Sequence, residues 1–317
     1  MDPSPLLLGR PGAVAGTGVD AAVAAHYGDP LGEQRALLAG GGLAGGGLAG
    51  GGLVDRSHRG VVRVGGAERL EWLHSLLTQH VSALPAGEWR EALVLSPHGH
   101  VEHHLTLVDD GEAVWAHVEP GTSSALVDYL RSMMFWSKVE VDDVTASWAV
   151  LSSVAPGGAG VSDEFVPRDQ LTAVTEARGG VVAGHGAWEA LRVAAGRPRL
   201  GFETDHRTIP HEVGWLATAV HLDKGCYRGQ ETVARVHNLG RPPRRLVLLH
   251  LDGTSEELPA PGTSLMLEDR SVGFLGTAVH HAELGPIALA LVKRQVADDA
   301  HLLVAGMAAA IEPLVVA

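Results

Sequence analysis

The sequence predicts an α+β fold with a separate all-β unit at its C-terminus. Between residues 53 and 240, short apolar segments typical of strands are mixed with amphipathic helical segments. They do not alternate in the regular strand–helix–strand order of a doubly wound sheet. From Arg244 onward each apolar segment has strand character and is bounded by turn residues, which predicts a small β-barrel or sandwich of about 70 residues.

Size and composition limit the classes of protein that the chain can represent. Its 317 residues are enough for two or three domains, and 45% hydrophobic against 19% charged residues argue against global disorder. The net charge of -13 disfavours direct nucleic-acid binding, which depends on neutralising phosphates. A single cysteine excludes an intrachain disulfide and indicates a reducing compartment, and neither a secretory signal nor a membrane-spanning apolar stretch is seen. We therefore expect a cytoplasmic protein with no membrane partner.

Residues 1–52 are predicted to be an N-terminal arm followed by a low-complexity insertion. The segment 39–52 repeats LAGGG, a composition typical of a flexible linker. A phosphate-binding glycine loop would need a strand before it and a helix after it, and neither flank qualifies. Ordered structure is expected to begin near Leu53.

The region 53–240 contains recognisable elements in order. VVRVGG indicates a strand, and the apolar residues from Leu70 to Leu84 recur at helical spacing. Strands are indicated next by ALVLS, HLTLV and AVWAHV, followed by a helix from Thr122 to Met134 and by the strands KVEVDDV and WAVLSSV. A further helix, AWEALRVAAG, ends at Gly196, because glycine is favoured just beyond a helix terminus.

The densest candidate site surrounds the single cysteine. Cys226 lies between Gly225 and Tyr227, with Lys224 and Arg228 one residue further out and a helix predicted from Gln230 to His237. Cations and a helix N-terminus both favour a reactive thiolate. Because the chain has 21 arginines and only 3 lysines, an ammonium group at this position is notable. A free cysteine that fills a gap in the core remains the alternative.

The segment KGCYRGQE, residues 224–231, resembles the K-G-C-Y-x-G-Q-E signature of YgfZ-type folate-binding proteins, which are relatives of the glycine-cleavage aminomethyltransferase. Other segments resemble this family in the expected order, and the resemblance covers roughly residues 53–317. These segments are RSHRG at residues 56–60, WLHSLLTQHVSAL, LSPHGHV, SKVEVDDV and GRPRLGFETDHRTIPHE.

The resemblance implies a three-domain, cloverleaf, aminomethyltransferase-like fold around a central folate pocket. Residues 53–240 would form two interleaved α+β subdomains, and residues 241–317 the C-terminal β-barrel. It also implies tetrahydrofolate, or a one-carbon derivative of it, as cofactor. The expected function is support of iron–sulfur protein assembly or repair, with Cys226 and Lys224 as reactive groups and iron–sulfur enzymes or assembly factors as partners.

The same resemblance gives Glu212 a role, and proximity in the sequence suggests further pocket residues. Glu212 is expected to hold the pterin ring, since a carboxylate can accept both parallel N–H groups of an aminopyrimidine edge. Trp215 and Tyr227 are candidates for an apolar slot, and Arg228 or Arg235 for the anionic glutamate tail. Gln230 completes the predicted folate-binding set. For each of these side chains, core packing or a solvated surface position stays open as the alternative.

One departure from the aminomethyltransferase pattern affects the predicted chemistry. The acidic pair expected on the strand after LSPHG is replaced by His103 and His104, and imidazole would not stabilise a developing cation as a carboxylate does. We therefore expect no glycine-cleavage activity. A folate-dependent one-carbon transferase or demethylase is the alternative function.

The local histidines also raise a metal hypothesis. His98, His100 and His104 would share one strand face, with Glu102 nearby. Because two of them lie in a predicted turn, no metal ligand is assigned.

Overall fold

The computed structural model describes residues 2–39, 52–158 and 160–314. The helices in these ranges are α1 (Pro5–Gly9), α2 (Pro30–Ala39), α3 (Arg69–Leu76), α4 (Ser123–Ser132), α5 (Leu171–Arg178), α6 (His185–Ala194), α7 (Trp215–Ala219) and α8 (Gln230–Leu239). Short 3₁₀ helices lie at Gly18–Asp20, Pro156–Gly158, Arg168–Gln170 and Pro210–Glu212.

The strands form three main sheets and a small hairpin-like pair. They are β1 (Val14–Ala15), β2 (Ala24–His26), β3 (Gly52–Asp55), β4 (Gly60–Gly65), β5 (Trp89–Leu95), β6 (Val101–Asp109), β7 (Ala113–Val118), β8 (Glu140–Asp143), β9 (Trp148–Val154), β10 (Val161–Pro167), β11 (Val181–Ala183), β12 (Arg244–Leu251), β13 (Ser264–Leu267), β14 (Arg270–His281), β15 (Gly285–Lys293), β16 (Leu302–Val304) and β17 (Met307–Pro313).

The first sheet has five antiparallel strands in the order β5-β6-β7-β4-β8. Helices α3 and α4 cover one face, because each places its apolar residues on one side: Trp72, Leu73 and Leu76 in α3, and Leu126 and Leu130 in α4. The predicted helix from Leu70 to Leu84 is too long, since α3 ends at Leu76 and the chain turns so that the Thr78 amide donates to Leu93 in β5.

The second sheet has the order β10-β9-β3-β11, in which only the β3–β11 pair is parallel. The N-terminal segment packs against this unit. Leu6 is buried with Leu151 and Leu171, and Leu37 is buried with Val54 and Ala183. The expectation that order begins near Leu53 is therefore wrong, because apolar residues in the first 39 positions complete this core. Most of the glycine repeat lies outside the described residues, and the domain boundaries at residues 52 and 240 stay predictions.

The C-terminal strands close into a six-stranded barrel in the order β12-β15-β14-β13-β16-β17. Alternate residues of β12 pack into two different hydrophobic cores. Val247 and Leu249 point into the barrel, whereas Leu246 and Leu248 pack against the body near Trp215. Burial on both faces explains the continuous apolar run LVLL. The α+β class and the C-terminal barrel predicted from the sequence are confirmed.

Candidate functional site

A polar cleft lies where the first sheet, the second sheet and α6 converge. This central cleft is a cavity of about 430 Å³. Its lining residues include Arg56, Arg59, Trp89, Glu91, His104, Thr106, Glu119, Asp163, His185, Trp188, Arg192, Arg197, Arg199 and Thr218. Strand alternation explains the contribution of β6, because His104 and Thr106 share one face while Leu105 and Leu107 fill the core on the other.

The floor of the central cleft is a buried hydrogen-bonded network. The Arg59 guanidinium donates from Nε to His117 Nδ1 at 2.7 Å and from Nη1 to Glu119 Oε1 at 2.6 Å. Because His117 Nδ1 accepts, its Nε2 carries the proton and donates to Asp163 Oδ2 at 2.9 Å. Burial and the neighbouring Arg59 lower the pKa of His117 to about 4, so the imidazole is neutral.

Arg199 connects the N-terminal segment to this floor. Its Nη2 donates to Asp20 Oδ1 at 2.9 Å, its Nε to Glu119 Oε2 at 3.0 Å, and its Nη1 lies 3.2 Å from Glu189 Oε2. Burial opposes ionisation of Glu119, but Arg59 and Arg199 outweigh it and hold the pKa of Glu119 far below its usual range. The charged groups of the floor are therefore paired with one another, and these ion pairs hold the floor in one conformation.

A group of possible metal ligands lies beside the same arginine. Asp20, His58 and His185 place their ligating atoms within 4.8 Å of one another, and the residues described by the structure contain no second such group. Arg199 Nη1 lies 3.1 Å from Asp20 Oδ2 and 3.4 Å from His185 Nε2. Because a guanidinium already contacts two of the three ligand atoms and would repel a metal cation, the geometry favours an ion-pair cluster over a metal centre.

Glu91, His104 and Thr218 form the mouth of the central cleft, and the buried Trp215 packs behind them. The His104 ring stacks on Trp215, with 4.5 Å between centroids and 16° between planes. Glu91 Oε2 accepts a hydrogen bond from Thr218 Oγ1 at 2.5 Å and lies 3.6 Å from His104 Nε2. Burial raises the pKa of Glu91, but the contacts with His104 and Thr218 outweigh it and lower the pKa to about 2. Glu91 is therefore ionised, and within the described ranges its Oε1 accepts no hydrogen bond from a side chain.

The predicted cysteine motif lies on an exposed loop between α7 and α8. Cys226 is exposed and is not among the residues that line the described cavities. Lys224 is buried, its Nζ donates to the carbonyls of His74 and Leu77, and burial lowers its pKa to about 8. The ammonium of Lys224 is therefore held by backbone carbonyls in the protein body, and its predicted role as a reactive group beside Cys226 stays a prediction.

A close glycine contact connects this motif to the strand that carries His104. Gly229 has φ of +81°, and a Cβ there would lie 2.5 Å from the Ser96 carbonyl oxygen and 2.9 Å from the Gly99 Cα. The turn before β6 therefore packs directly on the N-terminus of α8. Only glycine permits both this backbone conformation and this approach.

The structure separates the other predicted folate-binding residues. Glu212 is buried, and its two oxygens accept hydrogen bonds from Arg244 Nε and Nη2, each at 2.8 Å. This geometry does not support the predicted contact between Glu212 and a pterin, because the carboxylate already has a bidentate partner. Trp215 is buried behind His104 and lines a neighbouring cavity but not the central cleft, and Tyr227 is buried in the same hydrophobic core.

The remaining members of the predicted set are not among the residues that line the central cleft. Arg228 forms a surface ion pair with Glu102 at 3.2 Å. Gln230 Nε2 donates to the Lys224 carbonyl oxygen, and Arg235 is exposed on α8. His98 and His100 have ring centroids 6.2 Å apart in the turn, whereas His104 lies in the central cleft, so the strand-face metal hypothesis is wrong.

Sequence reasoning missed the arginine-rich floor and its acidic partners. RSHRG and GRPRLGFE were recognised only as segments of a resemblance, and Asp20 lies in a region expected to be an arm. The excess of arginine over lysine was the available signal, because guanidinium groups suit buried bidentate pairs better than ammonium groups do.

The sequence is similar to several known proteins. Residues 49–169 match the GCVT N-terminal domain family. A putative chloroplastic transferase of Arabidopsis thaliana is 25% identical over 80% of this chain and 68% of its own length. The tRNA-modifying protein YgfZ of Colwellia psychrerythraea is 35% identical over a quarter of each chain. A mitochondrial iron–sulfur cluster assembly factor IBA57 homolog of Mycosarcoma maydis is 27% identical over 62% of this chain and 57% of its own.

A solved structure shares the fold. The glycine cleavage system aminomethyltransferase T of Bartonella henselae superimposes with a TM-score of 0.77 over 96% of this chain and 94% of its own, at 17% sequence identity. The predicted aminomethyltransferase-like fold is thereby confirmed. No helix within the described ranges combines the length and apolar character needed to cross a bilayer.

Proposed function

Because the chain is a YgfZ-type, aminomethyltransferase-like protein, we propose that it binds a reduced folate in the central cleft and supports assembly or repair of iron–sulfur proteins through Cys226. The name of the IBA57 relative states a role in iron–sulfur cluster assembly, which supports the second part of this proposal. The observation that carries the first part is a polar cleft with aromatic walls, an ionised carboxylate with a free oxygen and an exposed cation at its mouth. We place this activity in the cytoplasm, as the single cysteine suggests.

The chemistry of the central cleft suits a folate. Its lining includes the rings of Trp89, Trp188 and His104, which offer flat surfaces to a fused ring, and Phe165 and Trp215 pack behind Trp89 and His104. The aminopyrimidine edge of a pterin needs an ionised carboxylate, and Glu91 supplies one. A cavity of about 430 Å³ lies within the range of small-molecule sites.

The exposed mouth suits the anionic end of the same ligand. Arg197 lines the central cleft and is exposed; its guanidinium forms no salt bridge in the part of the chain that the structure describes, although its charge helps to lower the pKa of Glu91. By contrast, Arg56, Arg59, Arg192 and Arg199 are paired within the floor. We therefore assign the first carboxylate of the glutamate tail to Arg197.

Cys226 would act outside the cleft. Its exposure allows a partner protein to reach the sulfur directly. One thiolate cannot hold an iron–sulfur cluster by itself, so the remaining ligands would come from the partner. The Gly229–Gly99 contact would connect this loop to β6 and hence to the folate site.

Calorimetric titration with tetrahydrofolate tests the folate site. We expect Glu91→Gln to weaken binding about tenfold or more, because the replaced oxygen loses a charge-assisted pair. Glu212→Gln is the matched control, since it makes the same chemical change at a carboxylate occupied by Arg244. Loss of affinity only in the Glu212 variant would restore the prediction from the sequence and reject Glu91.

Complementation tests the thiol. In a bacterial strain that lacks its own YgfZ-type protein, Cys226→Ser should fail to restore iron–sulfur enzyme activities while it keeps wild-type folate affinity. Full rescue by this variant would reject the role of Cys226.

A folate-dependent one-carbon transferase or demethylase is a second candidate. The observation in its favour is His104, whose imidazole lines the central cleft beside the proposed pterin contact. Formation of methylene-tetrahydrofolate from a methylamine-type donor, lost in His104→Ala, would support it. The absence of product with the wild-type protein would reject this second candidate function.

A further inference from the structure

A basic groove runs between the C-terminal end of α8 and the barrel strands β12 and β15. One part, a cavity of about 430 Å³, is lined by residues that include His211, Gly214, His237, Arg245 and Arg294. The adjoining part, of about 550 Å³, is lined by Arg241, Pro242, Pro243, Lys293, Arg294 and Gln295. Pro242 and Arg294 line both parts, so the two cavities form one continuous groove.

The charge of this basic groove is opposite to that of the chain as a whole. Arg241, Lys293 and Arg294 are exposed, and these three side chains have no acidic partner among the described residues. The acid in the groove wall, Glu212, is neutralised by Arg244. A local cluster of unpaired cations in a protein of net charge -13 marks a surface that concentrates anions.

The groove wall is held in place by the fold. The Arg294 amide donates to the Pro243 carbonyl oxygen at 2.9 Å, which fixes the two sides of the groove relative to each other. Arg245 pairs with Asp298 and also donates to the Val296 carbonyl oxygen, so it is anchored at the edge. His211 contributes a buried Nε2 that has no hydrogen-bond partner in the described ranges.

A third cavity connects the basic groove to the central cleft. Gly214, Leu246 and Leu314 line both this connecting cavity and the groove. At its other end, Glu91, His104 and Arg197 line both the connecting cavity and the central cleft. The three cavities therefore adjoin one another from Glu91, past Trp215 and the barrel surface, to the unpaired cations.

We propose that the basic groove binds the poly-γ-glutamate tail of a folate whose pterin lies in the central cleft, an inference that rests on the proposed function. Each γ-linked glutamate carries one free α-carboxylate, so an extended tail presents a single row of anions. This matches a row of adjoining cavities that ends among exposed cations. Nucleic acid fits less well, because phosphate-backbone binding depends on a broad positive surface.

Tail length provides the test. Titration of the wild type with tetrahydrofolate monoglutamate and with the hexaglutamate should show about tenfold tighter binding of the longer form, since each exposed ion pair contributes up to about fivefold. In the double variant Arg241→Gln and Arg294→Gln, this gain should fall to about twofold, the share left to Lys293, while monoglutamate affinity stays unchanged. Because the contacts are exposed, raising the salt concentration should reduce the gain in the wild type.

Arg270→Gln is the matched control, since it removes an exposed arginine from the barrel outside the described cavities and should leave the gain intact. If the double variant fails to fold, the lysine pair Arg241→Lys and Arg294→Lys should retain the gain, and its loss would count against an electrostatic groove. Equal affinity of both folates for the wild type would overturn this inference and leave the proposed function standing. Binding of neither folate would reject both. If the double variant instead loses affinity for a short RNA and keeps the tail-length gain, the groove is a nucleic-acid surface and the inference is wrong.

Discussion

Replacement of Gly229 by alanine should separate the cost of a backbone conformation from the cost of a steric contact. Gly229 begins α8 with φ of +81°, and Gly240 ends the same helix with φ of +80°. A Cβ at Gly229 would lie 2.5 Å from the Ser96 carbonyl oxygen, whereas a Cβ at Gly240 would meet no atom within 4 Å. The two substitutions therefore share one conformational penalty and differ in the contact.

The expected magnitudes follow from this difference. A left-handed conformation costs alanine about 1–2 kcal/mol, of which the less flexible unfolded chain recovers roughly 0.4–1 kcal/mol. Gly240→Ala should thus lower the free energy of unfolding by about 1 kcal/mol. At Gly229 the Ser96 backbone must also withdraw by roughly 0.5 Å to reach 3.0 Å, and such overpacking costs about 1–3 kcal/mol more.

Urea unfolding of the two variants and the wild type measures both the conformational cost and the steric cost. We expect Gly229→Ala to be destabilised by about 2–4 kcal/mol and to exceed Gly240→Ala by at least about 1 kcal/mol, with unchanged denaturant slopes. Because the displaced turn leads into β6, tetrahydrofolate affinity should also fall in Gly229→Ala alone. Equal destabilisation by the two alanines would refute the packing of the LSPHGHV turn on the cysteine motif.

The remaining predictions concern the buried network and the thiol. Arg199→Met should lower the free energy of unfolding by about 3–5 kcal/mol in thermal or urea unfolding, because it leaves buried carboxylates without their cation, and a loss below about 1 kcal/mol would contradict the network. Burial lowers the pKa of His58 to about 3 and those of His103 and His117 to about 4. The stability that these neutral histidines contribute is therefore fully present above pH 6.5, the pKa of histidine in the unfolded chain. Stability should therefore fall as the pH drops from 6.5 towards 4, by up to about 1.4 kcal/mol per pH unit for each histidine, and a flat profile in this window would contradict their neutrality. A thiol reagent should label native Cys226 with one equivalent at a rate close to that of the unfolded chain, and protection of the sulfur in the native state would contradict its exposure.

Particular elements show where the sequence was informative. The strands of the barrel and helix α4 were predicted near their observed positions because their apolar residues recur at one period, and helix α8 because it follows the glycine-bounded motif. The helix from Leu70 was predicted too long, since Leu77, Val81 and Leu84 keep an apolar pattern although they are buried in irregular chain. Periodicity reports burial, and burial does not require a helix.

The site residues show where the sequence was not informative. Glu212 seemed free to bind a ligand in the sequence, yet Arg244, 32 positions later, occupies both of its oxygens. Glu91 drew no attention as one acid in a strand, but folding places it beside His104 and Thr218 at the mouth of the central cleft. Ion-pair partners come from distant segments, so local sequence could not assign them.

By itself, the sequence determined the α+β class, the C-terminal barrel, the resemblance to YgfZ-type proteins and the presence of one cysteine in a glycine-bounded motif. Those properties reside in periodicity, composition and contiguous motifs, which are local. Only the tertiary structure decided that the thiol lies outside the central cleft and that Glu91 has an available oxygen. It also decided that the first 39 residues complete a hydrophobic core and contribute Asp20 to the floor of the central cleft. The physical reason is that the burial and pairing of a charge depend on which distant chain segments surround it, and that is fixed only when the sheets pack.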